Sequence, residues 1–176
     1  MSAAAPAPRS EVVIRRATAK DGDAFVALVR GLAAYEKLDP PTKEAEARLL
    51  RDAFGPSPRI EVLLAEVGSR AIGYAITFET YSSFLALPTL YLEDVFVVPE
   101  ARRSGAGGAI LRHLAAEAVR RGCGRLEWVV LDWNALAIGF YEKLGAKRMS
   151  DWIPFRLAGD ALRALAAEAG VETKKT

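Results

Sequence analysis

The spacing of apolar positions changes several times along the 176 residues, and each change marks an element. Val12-Val13-Ile14 opens a short strand, and Thr18-Ala19-Lys20-Asp21 reads as a turn. From Asp21, the positions Phe25, Leu28, Val29, Leu32 and Ala33 recur at helical spacing, predicting a helix that ends near Leu38, before Asp39-Pro40-Pro41. Thr42 opens a second helix to about Ala53, and Phe54-Gly55-Pro56-Ser57-Pro58 is loop punctuation. Ile60–Val67 and Ala71–Phe78, joined by Gly68-Ser69, read as a hairpin. Thr80–Pro88 reads as a loop and Thr89–Val98 as a strand. A helix from Gly105 carries Ile110, Leu111, Leu114, Ala115 and Ala118 on one face, with Gly122 as its C-terminal cap. Leu126–Leu131 predicts a strand, and Asn134 caps a helix holding Ala137, Ile138, Tyr141 and Leu144, closed by Gly145. A strand around Met149–Leu157 and a helix from Gly159 to Ala169 complete the pattern. The order βααβββαβαβα predicts an α/β fold, a mixed sheet with helices on both faces. No repeat or linker divides it, so one domain is expected over residues 11–169, with tails at 1–10 and 170–176.

One stretch concentrates the chemistry. Tyr91 to Gly122 predicts a strand that runs through a proline turn into a basic, glycine-rich loop and then into a helix. The first N–H groups of a helix have no intrahelical partner and the dipole favours anions there, so this arrangement suits phosphate. Gly105, Gly107 and Gly108 allow close backbone approach. Arg102 and Arg103 add fixed positive charge for phosphate oxygens. A nucleotide P-loop is absent, and the dinucleotide fingerprint fails because Ile110 stands where its third glycine belongs. What remains is R-x-x-G-x-G, at Arg102, Gly105 and Gly107. Read alone, so short a pattern also fits an ordinary glycine-rich turn packing a helix on a sheet.

Composition narrows the function classes. A net charge of +2 is too small to argue for nucleic acid, and most basic clusters read as solvated helix ends. The lone cysteine, Cys123, and lone histidine, His113, leave neither a disulfide framework nor a thiolate metal cluster, and argue against a Ser/His or Cys/His nucleophile. No metal is expected. No apolar run approaches a membrane span, and the N-terminal MSAAAPAPRS lacks a signal-peptide core, reading as a disordered tail. A cytoplasmic protein is the working expectation.

Together the strings LAAYE (Leu32 to Glu36), YLEDVFV (Tyr91 to Val97), RRSGAGG (Arg102 to Gly108) and VLDWN with FYEKLGA (Val130 to Ala146) are specific. The chain resembles the GNAT superfamily of N-acetyltransferases from Val12 to about Ala167, and within it the spermidine/spermine and thialysine branch. The resemblance implies a central sheet that is mostly antiparallel, acetyl-CoA as co-substrate, a small-molecule amine acceptor and a homodimer. It implies that Val95, Phe96, Val97, Arg102, Arg103, Ser104, Gly105, Ala106, Gly107, Gly108, Asn134, Ala137 and Tyr141 bind the cofactor. Backbone groups of Val95 and Val97 would pair with the pantetheine arm as an added strand, one N–H polarising the thioester carbonyl.

The reaction carries an acetyl group from a thioester to an amine. An alkyl amine has a pKa of about 10.4, so its nucleophilic form costs roughly 4–5 kcal/mol at pH 7. The resemblance makes Tyr141 the acid that protonates the leaving thiolate and Glu93 the proton acceptor, through water. Tyr35, Glu36, Glu93, Asp94, Ser82, Ser83 and Trp128 are the implied substrate contacts. Glu93 and Asp94 are strand neighbours, so regular pleating sends them to opposite faces unless a bulge re-aims one. The resemblance implies such an irregularity in this strand. The polyamine enzymes carry an Asp and a Trp where this chain has Tyr81-Ser82-Ser83-Phe84, and only an aromatic persists at Ile153-Pro154-Phe155. Fewer acids favour a small amine with a polar or zwitterionic end, as in the thialysine branch. A polyamine acceptor is the alternative. A non-catalytic acyl-CoA-binding module and an acetyltransferase acting on proteins are the competing classes.

Overall fold

The computed structural model describes residues 11–171 and divides at Val129/Val130 into two compact units. The expected N-terminal tail and Lys174/Lys175 lie outside the described residues. In the first unit the elements are β1 (Val12–Arg16), α1 (Gly22–Glu36), α2 (Lys43–Phe54), β2 (Glu61–Val67), β3 (Arg70–Ser82), β4 (Leu87–Val97), α3 (Ala106–Arg120) and β5 (Arg125–Glu127). The five strands lie in chain order, antiparallel except for the parallel β4–β5 pair.

Strand alternation divides the core into two layers. Phe25 and Leu28 of α1 and Ala53 of α2 pack with Val62, Leu64, Tyr74, Ile76 and Phe96 on one sheet face. Leu63 and Ala75 alternate to the other face, where α3 buries Ile110, Leu111, Leu114 and Ala118. Each such side chain, fully buried, contributes about 1.5–3 kcal/mol if large and aliphatic or aromatic. Helices therefore cover both faces of a mixed, mostly antiparallel sheet. Gly31 lets α1 approach closely, since a β-carbon there would lie 2.9 Å from the Phe96 ring. Arg30 of α1 donates from Nε to the buried Glu46 of α2 at 2.6 Å, tying the two helices.

Three local expectations are corrected. Thr80–Pro88 is mostly strand, because the ladder continues through Thr80↔Thr89, Tyr81↔Pro88 and Ser82↔Leu87, leaving a turn at 83–86. The strand expected over Leu126–Leu131 stops at Glu127, where parallel pairing with Tyr91 ends. In the second unit, α4 (Ala135–Lys143) and α5 (Gly159–Glu168) form, but Met149–Leu157 makes no strand. That segment finds no ladder partner, and Pro154 has no N–H to give one. Asn134 caps α4 as expected, its Oδ1 accepting the Ala137 N–H at 3.2 Å. Gly145, with φ of +90°, closes it.

Candidate active site

The expected irregularity in the central strand is present. Ile76 pairs with Asp94 and the next residue, Thr77, with Leu92, so β4 spends one extra residue at Glu93. A bulge of this kind doubles one step of the alternation and brings Glu93 and Asp94 to the same face. That face carries Tyr74, Phe96 and α1. Glu36, the last residue of α1, completes an acidic group there, its charge acting on both Asp94 and Tyr74. A carboxylate at a helix C-terminus is disfavoured by the helix dipole, so the helix itself does not favour an acid there.

The Asp94 carboxyl is perturbed by its surroundings. Burial pushes it up to about 6, the negative charges of Glu93 and Glu36 add to this, and a hydrogen bond from Tyr74 opposes it. The Tyr74 hydroxyl donates to Asp94 Oδ2 at 3.2 Å. Burial and the neighbouring Asp94 charge hold the Tyr74 phenol far above its ordinary range, so it stays a donor. Sequence reasoning did not single out Tyr74. Its signal was a hydroxyl-bearing aromatic at an inward position of an apolar strand, which burial without a partner would penalise.

β4 pairs with β5 only from Thr89 to Tyr91, so no strand among the described residues pairs with its other edge from Leu92 to Val97. The Val98 N–H points into the sheet, donating to Ile72 at 2.9 Å. Backbone direction alternates along a strand, so the groups of Val97 and Val95 point to the open edge. There an extended ligand can pair with the main chain.

Beyond β4 the chain enters the basic loop. Arg103, Ser104 and Gly105 are exposed, and Ala106 is buried as α3 begins. Gly105 caps α3 with φ of +96°, a conformation that side chains with a β-carbon rarely adopt, and Arg103 also lies at positive φ, +65°. The Ser104 hydroxyl accepts the Ala106 N–H at 3.3 Å. The following N–H groups, including those of Gly107 and Gly108, belong to the first turn of α3 and have no intrahelical partner. Exposed Arg103 beside them forms a donor set suited to a pyrophosphate. Arg102 is placed differently. Its guanidinium stacks 4.3 Å from the Tyr35 ring centre and its Nε donates to the Val97 carbonyl at 3.2 Å.

Two expected substrate contacts, Ser82 and Ser83, lie away from the acids along β3. Ser82 is buried at the far end of β3, its Oγ accepting the Leu85 N–H at 3.3 Å, and Ser83 is exposed in the turn. Ser82 lies six positions along the strand from Ile76, the partner of Asp94, or about 20 Å at the usual rise. Trp128 is half-buried just past β5. In the second unit Tyr141 sits on α4 with its ring 5.3 Å from Phe140, and burial pushes its phenol above the ordinary value. A phenol held up in this way is protonated at neutral pH. Among the described residues no cluster of His, Cys, Asp and Glu could hold a metal ion, and no helix is long and apolar enough to cross a membrane.

Comparisons with known proteins agree with this geometry. A family model described as "Acetyltransferase (GNAT) family" matches residues 19–146. The thialysine N-epsilon-acetyltransferase of Sus scrofa is 36% identical over 170 residues, spanning 90% of this chain and 99% of that protein. The L-ornithine N5-acetyltransferase of Arabidopsis thaliana is 40% identical over 129 residues, 73% of this chain and 52% of that one. Among solved structures, an integron cassette protein from the mobile metagenome of V. cholerae superposes with a TM-score of 0.78 at 25% identity, covering 88% of this chain and 97% of that one.

Proposed function

The chain belongs to the acetyltransferase (GNAT) family, and we propose that it moves the acetyl group of acetyl-CoA to the primary amine of a small, amino-acid-like acceptor. The observation that carries this reading is the β4 bulge, which turns Glu93 and Asp94 to the face where α1 presents Glu36. The names of the similar proteins, which concern thialysine and L-ornithine, support an acceptor with one reactive amine and a polar end.

Each role follows from a position in the chain. The open edge of β4 at Val95 and Val97 pairs with the pantetheine arm, beside Phe96. Arg103, Ser104, Gly105, Ala106, Gly107 and Gly108 hold the pyrophosphate. Asn134 and Ala137 order the start of α4, from which Tyr141 acts. Glu36 and Asp94, with the Tyr35 ring, hold the acceptor, while Glu93 takes the ammonium proton through water. The freed amine nitrogen attacks the thioester carbonyl carbon, the C–S bond breaks, the thiolate takes the Tyr141 phenolic proton, and the proton shed by the newly acylated nitrogen returns to the Tyr141 phenolate. This arrangement answers a conflict in the chemistry, because a carboxylate touching the ammonium stabilises the charge that must be lost. Separating the binding acids from the accepting one resolves it.

A single domain over 11–169 is part of the reading, supported by a family match that crosses Val129/Val130. So is a homodimer, supported by the exposed apolar run Trp152, Ile153 and Phe155, of a kind that association surfaces use. A cytoplasmic location fits the lone cysteine. Three acids would also suit a second ammonium, which keeps a polyamine as the other acceptor.

The test is a thiol-release assay with acetyl-CoA against thialysine, lysine, ornithine, spermidine, putrescine and a short peptide. Preference for the amino-acid amines is the expected result, and preference for spermidine would transfer the reading to polyamines. Tyr141→Phe should cut turnover about 100-fold or more while coenzyme A still binds. Unchanged turnover would remove Tyr141 as the acid.

A further inference from the structure

The second arginine of the basic pair, Arg103, is exposed beside the first turn of α3, but the first is not. Arg102 is half-buried. Its guanidinium lies 4.3 Å from the centre of the Tyr35 ring and 6.0 Å from that of Phe96. Its Nε donates to the Val97 carbonyl, the backbone group that faces the open edge of β4. One side chain thus touches three things: the end of the edge where the pantetheine arm would pair, the core residue Phe96, and the last turn of α1. Tyr35 immediately precedes Glu36, and the helix ends at Lys37 in a left-handed residue, φ +58°.

We infer that Arg102 is a positioning residue rather than a phosphate ligand: it clamps Tyr35, and with it Glu36, to the end of β4, and so couples the acceptor site to the cofactor edge. The physical reason lies in what each contact requires. A guanidinium is weakly hydrated and planar, so it can stack on an aromatic ring while still donating in its own plane. Turning it out to a pyrophosphate would break the bond to Val97 and uncover the Tyr35 ring. Arg103 and the α3 N–H groups already supply donors for that anion. Without the clamp, α1 would still pack through Phe25, Leu28 and the ring of Tyr35 itself, but its last turn would lose one contact that helps to fix Glu36 relative to Asp94.

The inference rests on the acetyl-transfer reading for its kinetic arm only. Calorimetric titration of coenzyme A into Arg102→Ala should give an affinity within about threefold of wild type, while Arg103→Ala loses about tenfold. The opposite order would overturn the assignment. In turnover, Arg102→Ala should raise the amine KM about tenfold with kcat within threefold, equally with acetyl-CoA and with S-acetylpantetheine, which has no pyrophosphate. A defect that vanishes with the truncated donor would make Arg102 a phosphate ligand. A uniform fall in kcat at unchanged KM would mean a structural role alone, and also overturns the proposal. Arg102→Lys keeps the charge over the ring but not the planar donor, so it should recover part of the amine KM. If the wild-type protein turned over no amine at all, the acetyl-transfer reading would fail. The coenzyme A titration and the melting temperatures would still decide this one. Arg102→Ala and Tyr35→Leu share one contact, so the double variant should lose less melting temperature than the sum of the two singles. Additive losses would overturn the clamp.

Discussion

The two ends of the β4 region do opposite electrostatic work and are built by opposite means. The basic loop at 102–108 is a local construction: a left-handed glycine at position 105 starts α3, and a few consecutive residues supply the whole donor set. The acidic group is assembled from a distance. Glu36 comes from α1, Glu93 and Asp94 from a bulged strand, and Tyr74 from the neighbouring strand. A local device depends on backbone conformation, and a distributed one on the packing that holds its parts. The first should break through one substitution at the loop, and the second should erode piece by piece.

The largest effect is expected at the loop. Gly105→Val forces a β-branched residue into a left-handed conformation, at a cost of about 2 kcal/mol or more. Acetyl-CoA KM should rise about 30-fold, by the usual conversion, with the amine KM at saturating donor little changed. An equal rise in both would show that the two ends are not separable.

An intermediate effect is expected from the acids. Asp94→Asn removes one opposite charge from a partly buried site and should raise the amine KM about tenfold. In the wild type the amine KM should rise as pH falls through about 6, where Asp94 loses its charge, and in the variant this inflection should disappear. Stability should respond with the other sign. The folded pKa lies above the ordinary 3.8, so the contribution of Asp94 to stability is fully present below pH 4 and lost as pH rises through about 6. At pH 8 the variant, still able to accept from Tyr74, should therefore melt about 2–5 °C higher than wild type, a gain that fades by pH 4. A variant that melts lower at pH 8 would mean that the carboxylate, not the amide, is what Tyr74 needs.

The smallest effect is expected far along β3. Ser82→Ala loses a side-chain bond to the Leu85 N–H in the β3–β4 turn, and should lower the melting temperature by about 2–4 °C with both KM values within twofold. A substantial change in amine KM would bring the turn into the acceptor site.

Local signals in the chain decided most of the helices and the glycine loop. Thr42 and Asn134 cap the helices whose starts they predict, because a cap depends on residues within one turn. Gly105 was legible for the same reason. The ends of strands were not, because a strand persists only while it has a partner. Thr80–Pro88 joined the ladder by pairing with itself across a turn, and Met149–Leu157 did not find one. The family resemblance implied a bulge that brings two adjacent acids to one face, but not its residue. Register between β3 and β4, set by which side chains fill the core beneath Phe25, placed it at Glu93.

The sequence by itself determined the family and the basic, glycine-rich loop, since these rest on residue types at short spacing. Only the tertiary structure decided that Tyr74 holds Asp94, that β4 keeps an open edge beyond the bulge, and that Arg102 turns to Tyr35 while Arg103 stays exposed. The two arginines are adjacent and chemically identical. What distinguishes them is the aromatic ring and the free carbonyl that the fold brings within reach of one and not the other.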